Sequence, residues 1–225
     1  AFPMLLQRFT FLTKPDSESL SVVSNIYGRA SLGGEVAITH AAAYALGAMA
    51  GADTRAGNAA GAEPYVARLR ADLEQTKAPA EKRELLIAIG NARRDADTAF
   101  VTKYASDAAP EARIGAARAL GGSTSREARP TLLKLAADGD ARVQAAAIAS
   151  LAPEALEASD VHALAMTVTG GQTSPANDGD LVTLIGNHPE PHEDTRAMLD
   201  FLMHRAKDPR ARARIEFVLS QLPPK

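Results

Sequence analysis

Glu81-Lys82-Arg83-Glu84-Leu85-Leu86-Ile87-Ala88-Ile89-Gly90 and Ala112-Arg113-Ile114-Gly115-Ala116-Ala117-Arg118-Ala119-Leu120-Gly121 are two copies of one pattern, set 31 residues apart. In each, an eight-residue span ends in Leu or Ile, apolar or small residues stand three and four positions before it, and a glycine follows. Those intervals place the apolar residues on one face of a helix. The trailing glycine reads as a helix C-terminus in the left-handed region. Working outward, a further 31 residues reach Val143-Gln144 through Ala147-Ile148 to Leu151, another 34 reach Leu181-Val182 and Ile185-Gly186, and 34 more reach Ala211-Arg212 to Leu219. Upstream, Ile38-Thr39 through Ala42-Ala43 to Leu46-Gly47 precedes Ile89 by 43, and Met4 to Leu12 forms a weaker copy 34 earlier still. Self-similarity at such a period is the mark of supersecondary units that bury their apolar faces only by stacking.

These copies are the second helices of a series of pairs. Matching first helices are expected over Ser17–Ala30, Glu63–Gln75, Ala96–Ser106, Arg126–Ala137, Ser159–Thr169 and His192–Lys207. Pro79, Pro110, Pro130 and Pro209 stand at or near helix starts, where a missing N–H costs little. Two stretches interrupt the period and read as mobile surface connections. One is the Gly/Ala-rich segment near 51–62; the other, near 169–180, carries Gly170-Gly171, Pro175 and Gly179. A binding role for either is the lesser reading.

Composition agrees with helices. The 225 residues are 46% hydrophobic and only 4% aromatic, without Trp, and alanine fills most apolar positions. That favours closely packed helices over a sheet of aromatic and β-branched residues. A net charge of −2 argues against a general nucleic-acid binder, which needs a basic excess to displace counterions. The apolar opening Phe2 to Leu12 is short and broken by Gln7 and Arg8, so no membrane span is expected. A start at Ala1 without Met suggests a processed or excised piece. With no Cys, disulfides, thiolate metal sites and thiol nucleophiles are excluded, and the compartment stays unassigned.

With alternating helices and a Val-Arg-x-x-Ala-Ala-x-x-Leu-Gly-like second helix, the chain resembles the HEAT-repeat family over nearly all its length. The resemblance implies an all-α fold: a right-handed α-α superhelix, a HEAT-like solenoid of about six helical hairpins, forming a single domain over 1–225. A narrower resemblance is to the helical domain of vitellogenin-type large lipid transfer proteins. It rests on Thr39-His40-Ala41-Ala42-Ala43-Tyr44-Ala45-Leu46-Gly47, on Arg83 to Ala92, and on Lys14-Pro15-Asp16-Ser17-Glu18-Ser19-Leu20. That family's cysteines and lipid-enclosing β-sheet modules have no counterpart here. The second resemblance implies a helical horseshoe within a larger lipid-transfer protein, and lipid as a ligand only in that setting.

Searching for chemistry gives structural readings throughout. His188 and His192 are four apart and followed by Glu193, but Pro189 and Pro191 break any helix between them, so a loop is expected rather than a metal site. His40, His162 and His204 fall in different repeats. No strand precedes a glycine-rich phosphate loop, and Ser17 to Ser24 lacks a nucleophile-elbow context. Asp138/Asp140 and Glu190/Glu193/Asp194 stand at helix starts, where carboxylates cap N–H groups. Thr39, Lys82, Arg113, Gln144 and Arg212 share one repeat position and are expected to form a ladder tying each repeat to the next, with ligand contact as the second possibility. Arg205, Lys207, Arg210, Arg212 and Arg214 form a local basic cluster that would suit an acidic partner or simply a solvated helix.

No catalytic, cofactor or metal residues are therefore expected, and the chain reads as no enzyme. A HEAT-scaffold enzyme such as a chromophore lyase or DNA glycosylase would require a polar catalytic cluster. The expected function is a non-enzymatic scaffold that binds a protein partner on the concave face lined by second helices. Counting two back from each terminal Leu or Ile gives Tyr44, Ile87, Arg118, Ala149, Thr183 and Phe217; counting five or six back adds His40, Arg83, Glu84 and Arg214.

Overall fold

A computed structural model of the chain describes residues 17–34, 36–153 and 156–223. The Met4 to Leu12 copy, and Lys14, Pro15 and Asp16 of the Lys14 to Leu20 stretch, lie outside these residues. Among the described residues all regular structure is helical. In chain order the helices are α1 (Ser17–Gly33), α2 (Val36–Arg55), α3 (Ala59–Gln75), α4 (Pro79–Asn91), α5 (Thr98–Thr102) and α6 (Pro110–Leu120), followed by α7 (Ala128–Leu135), α8 (Ala141–Leu151), α9 (Ala158–Thr169), α10 (Asp178–Asn187), α11 (His192–Arg205) and α12 (Pro209–Gln221). Short 3-10 turns at Asp95–Asp97 and Lys103–Ser106 flank α5, and another at Pro175–Asn177 leads into α10. The first helix expected at Ala96–Ser106 is thus broken into three pieces around Val101, which is buried.

Residues group into two compact units, Ala1–Ala119 and Leu120–Lys225. In the first, α2 packs against α1, α3 and α4, and α3 against α4. In the second, α8 packs on α7 and α10, α9 on α7 and α11, and α12 on α10 and α11. Within each unit, then, α2 touches its partner α1 and the next second helix α4, α8 touches α7 and α10, and α12 touches α11 and α10, as stacked hairpins require. The cores are aliphatic: Leu46, Leu69, Leu73, Leu86 and Ile89 in the first unit and Leu132, Leu135, Ile148, Leu151 and Leu164 in the second are fully buried.

Glycine does a different job from the one its position suggested. Gly47 lies in mid-helix, and a Cβ there would stand 1.9 Å from the Ala88 carbonyl oxygen. At Gly90 a Cβ would come within 2.4 Å of Ala119 Cα. These two glycines bring successive second helices into backbone contact instead of ending them. A left-handed glycine does follow α6, one residue later than the pattern placed it: Gly122 has φ 81°.

The segment 51–62 is also not a loop. Gly51, Ala52 and Asp53 continue α2 and are buried, with a Cβ on Gly51 falling 2.3 Å from the Asn91 carbonyl oxygen. Only residues 56–58 turn, with Gly57 at φ 83°, and α3 starts at Ala59 under an Asn58 cap with Pro64 inside it. Small residues in this stretch serve helix contact, which composition alone does not separate from loop chemistry.

The connection near 169–180 is shorter than expected and pinned. Thr173 and Asn177 within it are buried. Gln144 reaches it from α8, donating to the Asp138 and Gln172 carbonyls at 2.6 and 2.9 Å and accepting from Ser174 N–H and Asn177 Nδ2 at 2.8 and 3.1 Å. Arg205 holds its other side, donating to the Thr173 carbonyl at 2.7 Å and pairing with Asp178.

A candidate interaction surface on the second helices

Helical phase decides which side chains of a second helix remain outside the stack. On α4, Arg83, Leu86 and Gly90 face α6, where Gly115 and Ala119 approach them, while Ala88, Asn91 and Ala92 face α2. Leu85 and Ile89 go into the core. Ile87 is left half-buried, one turn along from Arg83 and Glu84. Glu84 is buried and its carboxylate takes an ion pair from Arg83 at 2.5 Å, so these two satisfy each other. Their pairing removes both from the freely available charges.

On α2, His40, Tyr44, Gly47 and Gly51 are spaced 4, 3 and 4 and so form one stripe. Since Gly47 and Gly51 meet α4, His40 and Tyr44 line the same seam and are half-buried there. Arg118, on α6, is exposed.

The second unit leaves its row more open. Ala149 on α8, Thr183 on α10 and Phe217 on α12 are all exposed, Phe217 to 65%. Arg214 Nη2 donates to Thr183 Oγ1 at 2.6 Å, bridging α10 and α12, and Thr183 in turn donates to the Gly179 carbonyl at 2.9 Å. Gly186, unlike Gly47 and Gly90, has room: its nearest neighbour would be Val218 at 3.5 Å. The wider spacing makes this a shallow surface floored by small residues and edged by Arg214 and Phe217.

Ionisable residues elsewhere are taken up in joints between repeats. Lys82 pairs with Asp107 at 2.7 Å, one hairpin further on, and Gln144 makes the tie already described, so both act as the expected rungs. Arg113 turns instead to the carbonyls of Asp107 and Ala108 ahead of its own helix, Thr39 is buried, and Arg212 is exposed. The sequence did not single out a second set of joints between first helices. Glu63 bridges Arg70 and Arg94, Arg70 reaches Asp97 at 2.8 Å, Arg129 reaches Asp160 at 3.0 Å, and His162 lies 3.2 Å from Asp194. The Arg94 hydrogen bond holds the Glu63 carboxyl below the usual carboxylate range. Burial pushes Asp97 up, against the pull of Arg94 and Arg70. Burial likewise raises Asp178 against Arg205, which leaves the basic cluster for this joint.

Of the acidic helix starts, Asp138 and Asp140 accept backbone N–H groups at the start of α8, whereas α11 begins at a cap position without a side-chain hydrogen bond. Asp140 accepts from Arg142 N–H at 2.8 Å, and the Arg142 side chain bonded to the same carboxylate, with that N–H, holds its pKa at about 2. Glu193 and Asp194 lie in the first turn of α11. His188 follows the end of α10 and His192 opens α11, with its ring nitrogen 2.9 Å from the Pro189 carbonyl. Among the described residues no cluster of His, Asp and Glu is assembled that could hold a metal ion. No described helix is long and apolar enough to cross a membrane.

Paired helices whose second members meet within each unit define the class of the protein: an all-α helical-repeat fold. Residues 66–152, from α3 through α8, match the family model of HEAT repeats, and the chain carries HEAT repeats over that span. No curated protein sequence matches it. The likeness of 39–47 and 83–92 to lipid-transfer proteins rests on residues that the repeat itself explains, since Gly47 and Gly90 are the sites of close helix approach.

Proposed function

We propose that this chain is a non-enzymatic interaction module that holds a protein partner along the solvent-facing side of its second helices. The observation that carries the reading is the contrast between two sets of side chains. Charged residues between first helices are paired across repeats, whereas the repeat-equivalent positions Ala149, Thr183 and Phe217 on second helices stay open to solvent. Neighbouring second helices offering such positions, as α8, α10 and α12 do, suit an extended partner and need no reacting group. In the first unit the corresponding positions are the exposed Arg118 and the half-buried Ile87.

A photo-crosslinking amino acid placed at Ile87 or Phe217, and for comparison at Met166, separates the faces. Met166 is 64% exposed but sits on a first helix. In cells producing the full chain, the second-helix positions are expected to give an adduct with one protein species and Met166 none. Equal adducts from Met166, or no protein adduct from either second-helix position, would refute the reading.

A further inference from the structure

Along α12 the residues Arg210, Arg214, Phe217 and Gln221 are spaced 4, 3 and 4, which puts them in one stripe, and all four are exposed. The stripe runs on the side of α12 nearest α10, because Arg214 bonds Thr183 and Val218 approaches Gly186. Arg210 and Arg214 make no ion pair with any described residue, in contrast to Arg205, whose guanidinium is engaged by Asp178 and Thr173. The Thr183 hydroxyl also fixes the direction of Arg214, so a ligand need not order it again. Beside the stripe, Gly179 and Gly186 carry no side chains, and a Cβ on Gly179 would meet nothing within 4 Å.

We infer that this stripe docks an acidic peptide segment, with carboxylates on Arg210 and Arg214 and an apolar side chain against Phe217. The inference rests on the scaffold reading above and adds the chemistry of what is held. Arginine and aromatic residues are the side chains enriched at the cores of protein interfaces, and a guanidinium takes a carboxylate with two parallel hydrogen bonds. The surrounding charge sets the length of the partner. From residue 120 to the end there are eleven Lys and Arg against fourteen Asp and Glu, so the stripe is a basic island in an acidic half of the chain. Asp180 on α10 and Glu216 on the far side of α12 bound it, and both are exposed. A nucleic acid laid across this half would be repelled beyond the island, while a segment with two or three carboxylates fits within it.

A random dodecapeptide phage library selected on the full chain tests this, with the recovered peptides then measured by fluorescence anisotropy. Peptides bearing at least two acidic residues and one large apolar residue are expected. Their affinity should fall roughly tenfold or more in the Arg210→Glu/Arg214→Glu double variant. It should also fall with rising salt, and fall in Phe217→Ala. The altered side chains are exposed, so circular dichroism should match the parent. Failure to recover a peptide family, recovery of peptides without acidic residues, or acidic peptides that bind both variants undiminished would overturn the inference. So would a DNA duplex or phosphatidylserine vesicles that bind the parent and lose binding in the same variants. Peptides of other chemistry that still map to second helices would remove this inference and leave the scaffold reading intact.

Discussion

Gln144 shows how one side chain closes a joint. Its amide makes four hydrogen bonds, two donated and two accepted, and reaches across to the connection that precedes α10. Truncating it takes this partner from the Gln172 carbonyl, the half-buried Ser174 N–H and the buried Asn177 amide, which keeps its bond to the Ala141 carbonyl. Gln144→Ala is therefore expected to destabilise the second unit by about 2–4 kcal/mol, from the desolvation of groups left unpaired. Chemical denaturation of the full chain measures it, and a loss under 1 kcal/mol would mean that the joint is held elsewhere. The position was legible in the sequence as one rung of a ladder. Its partners were not, because they include backbone groups of a connection whose path periodicity does not specify. The ion pairs between first helices did leave a trace: Glu63 and Arg94, like Arg129 and Asp160, are 31 residues apart, the repeat spacing itself. Opposite charges one repeat apart do for a stacked chain what charges four apart do within a helix.

Between elements, glycine sets the distance. Gly47 and Gly90 face backbone atoms of the neighbouring second helix, which cannot swing aside, whereas Gly186 faces only the end of Val218. Gly90→Ala is expected to cost about 1–3 kcal/mol by forcing α4 and α6 apart. Gly186→Ala, in the last turn of α10, is expected to be neutral or to gain up to about 1 kcal/mol from helix propensity. Thermal unfolding of the two variants checks the contrast; equal shifts would argue that the helices are not in backbone contact at Gly90. Glycine recurring at one repeat position was plain in the sequence. Whether it ended a helix or admitted a neighbour depended on the approach of a helix some forty residues away for Gly47 and some thirty for Gly90.

At the scale of the molecule, a stack has no central core to share stability evenly, so each helix holds according to its neighbours. α8 buries seven side chains, from Val143 to Leu151, against α7 and α10, whereas α12 buries Ile215 alone. Amide hydrogen exchange is expected to be slower in α8 than in α12. Equal protection along the second unit would show that it opens as one body. The same thin burial leaves the α12 stripe accessible without disturbing a core.

Among the described residues, the succession of helices and the aliphatic residues that go inward followed from the sequence alone, because the 3.6-residue period and the 31 to 34-residue repeat are properties of the chain itself. Tertiary structure decided what lies a full repeat away. It made the segment at 51–62 part of two helices, turned Gly47 and Gly90 from caps into contacts, and drew Arg205 into a joint while leaving Arg210 and Arg214 to solvent. Periodicity fixes which face of a helix is apolar, but whether a polar or small residue on that face is spent or open depends on the backbone that comes to meet it.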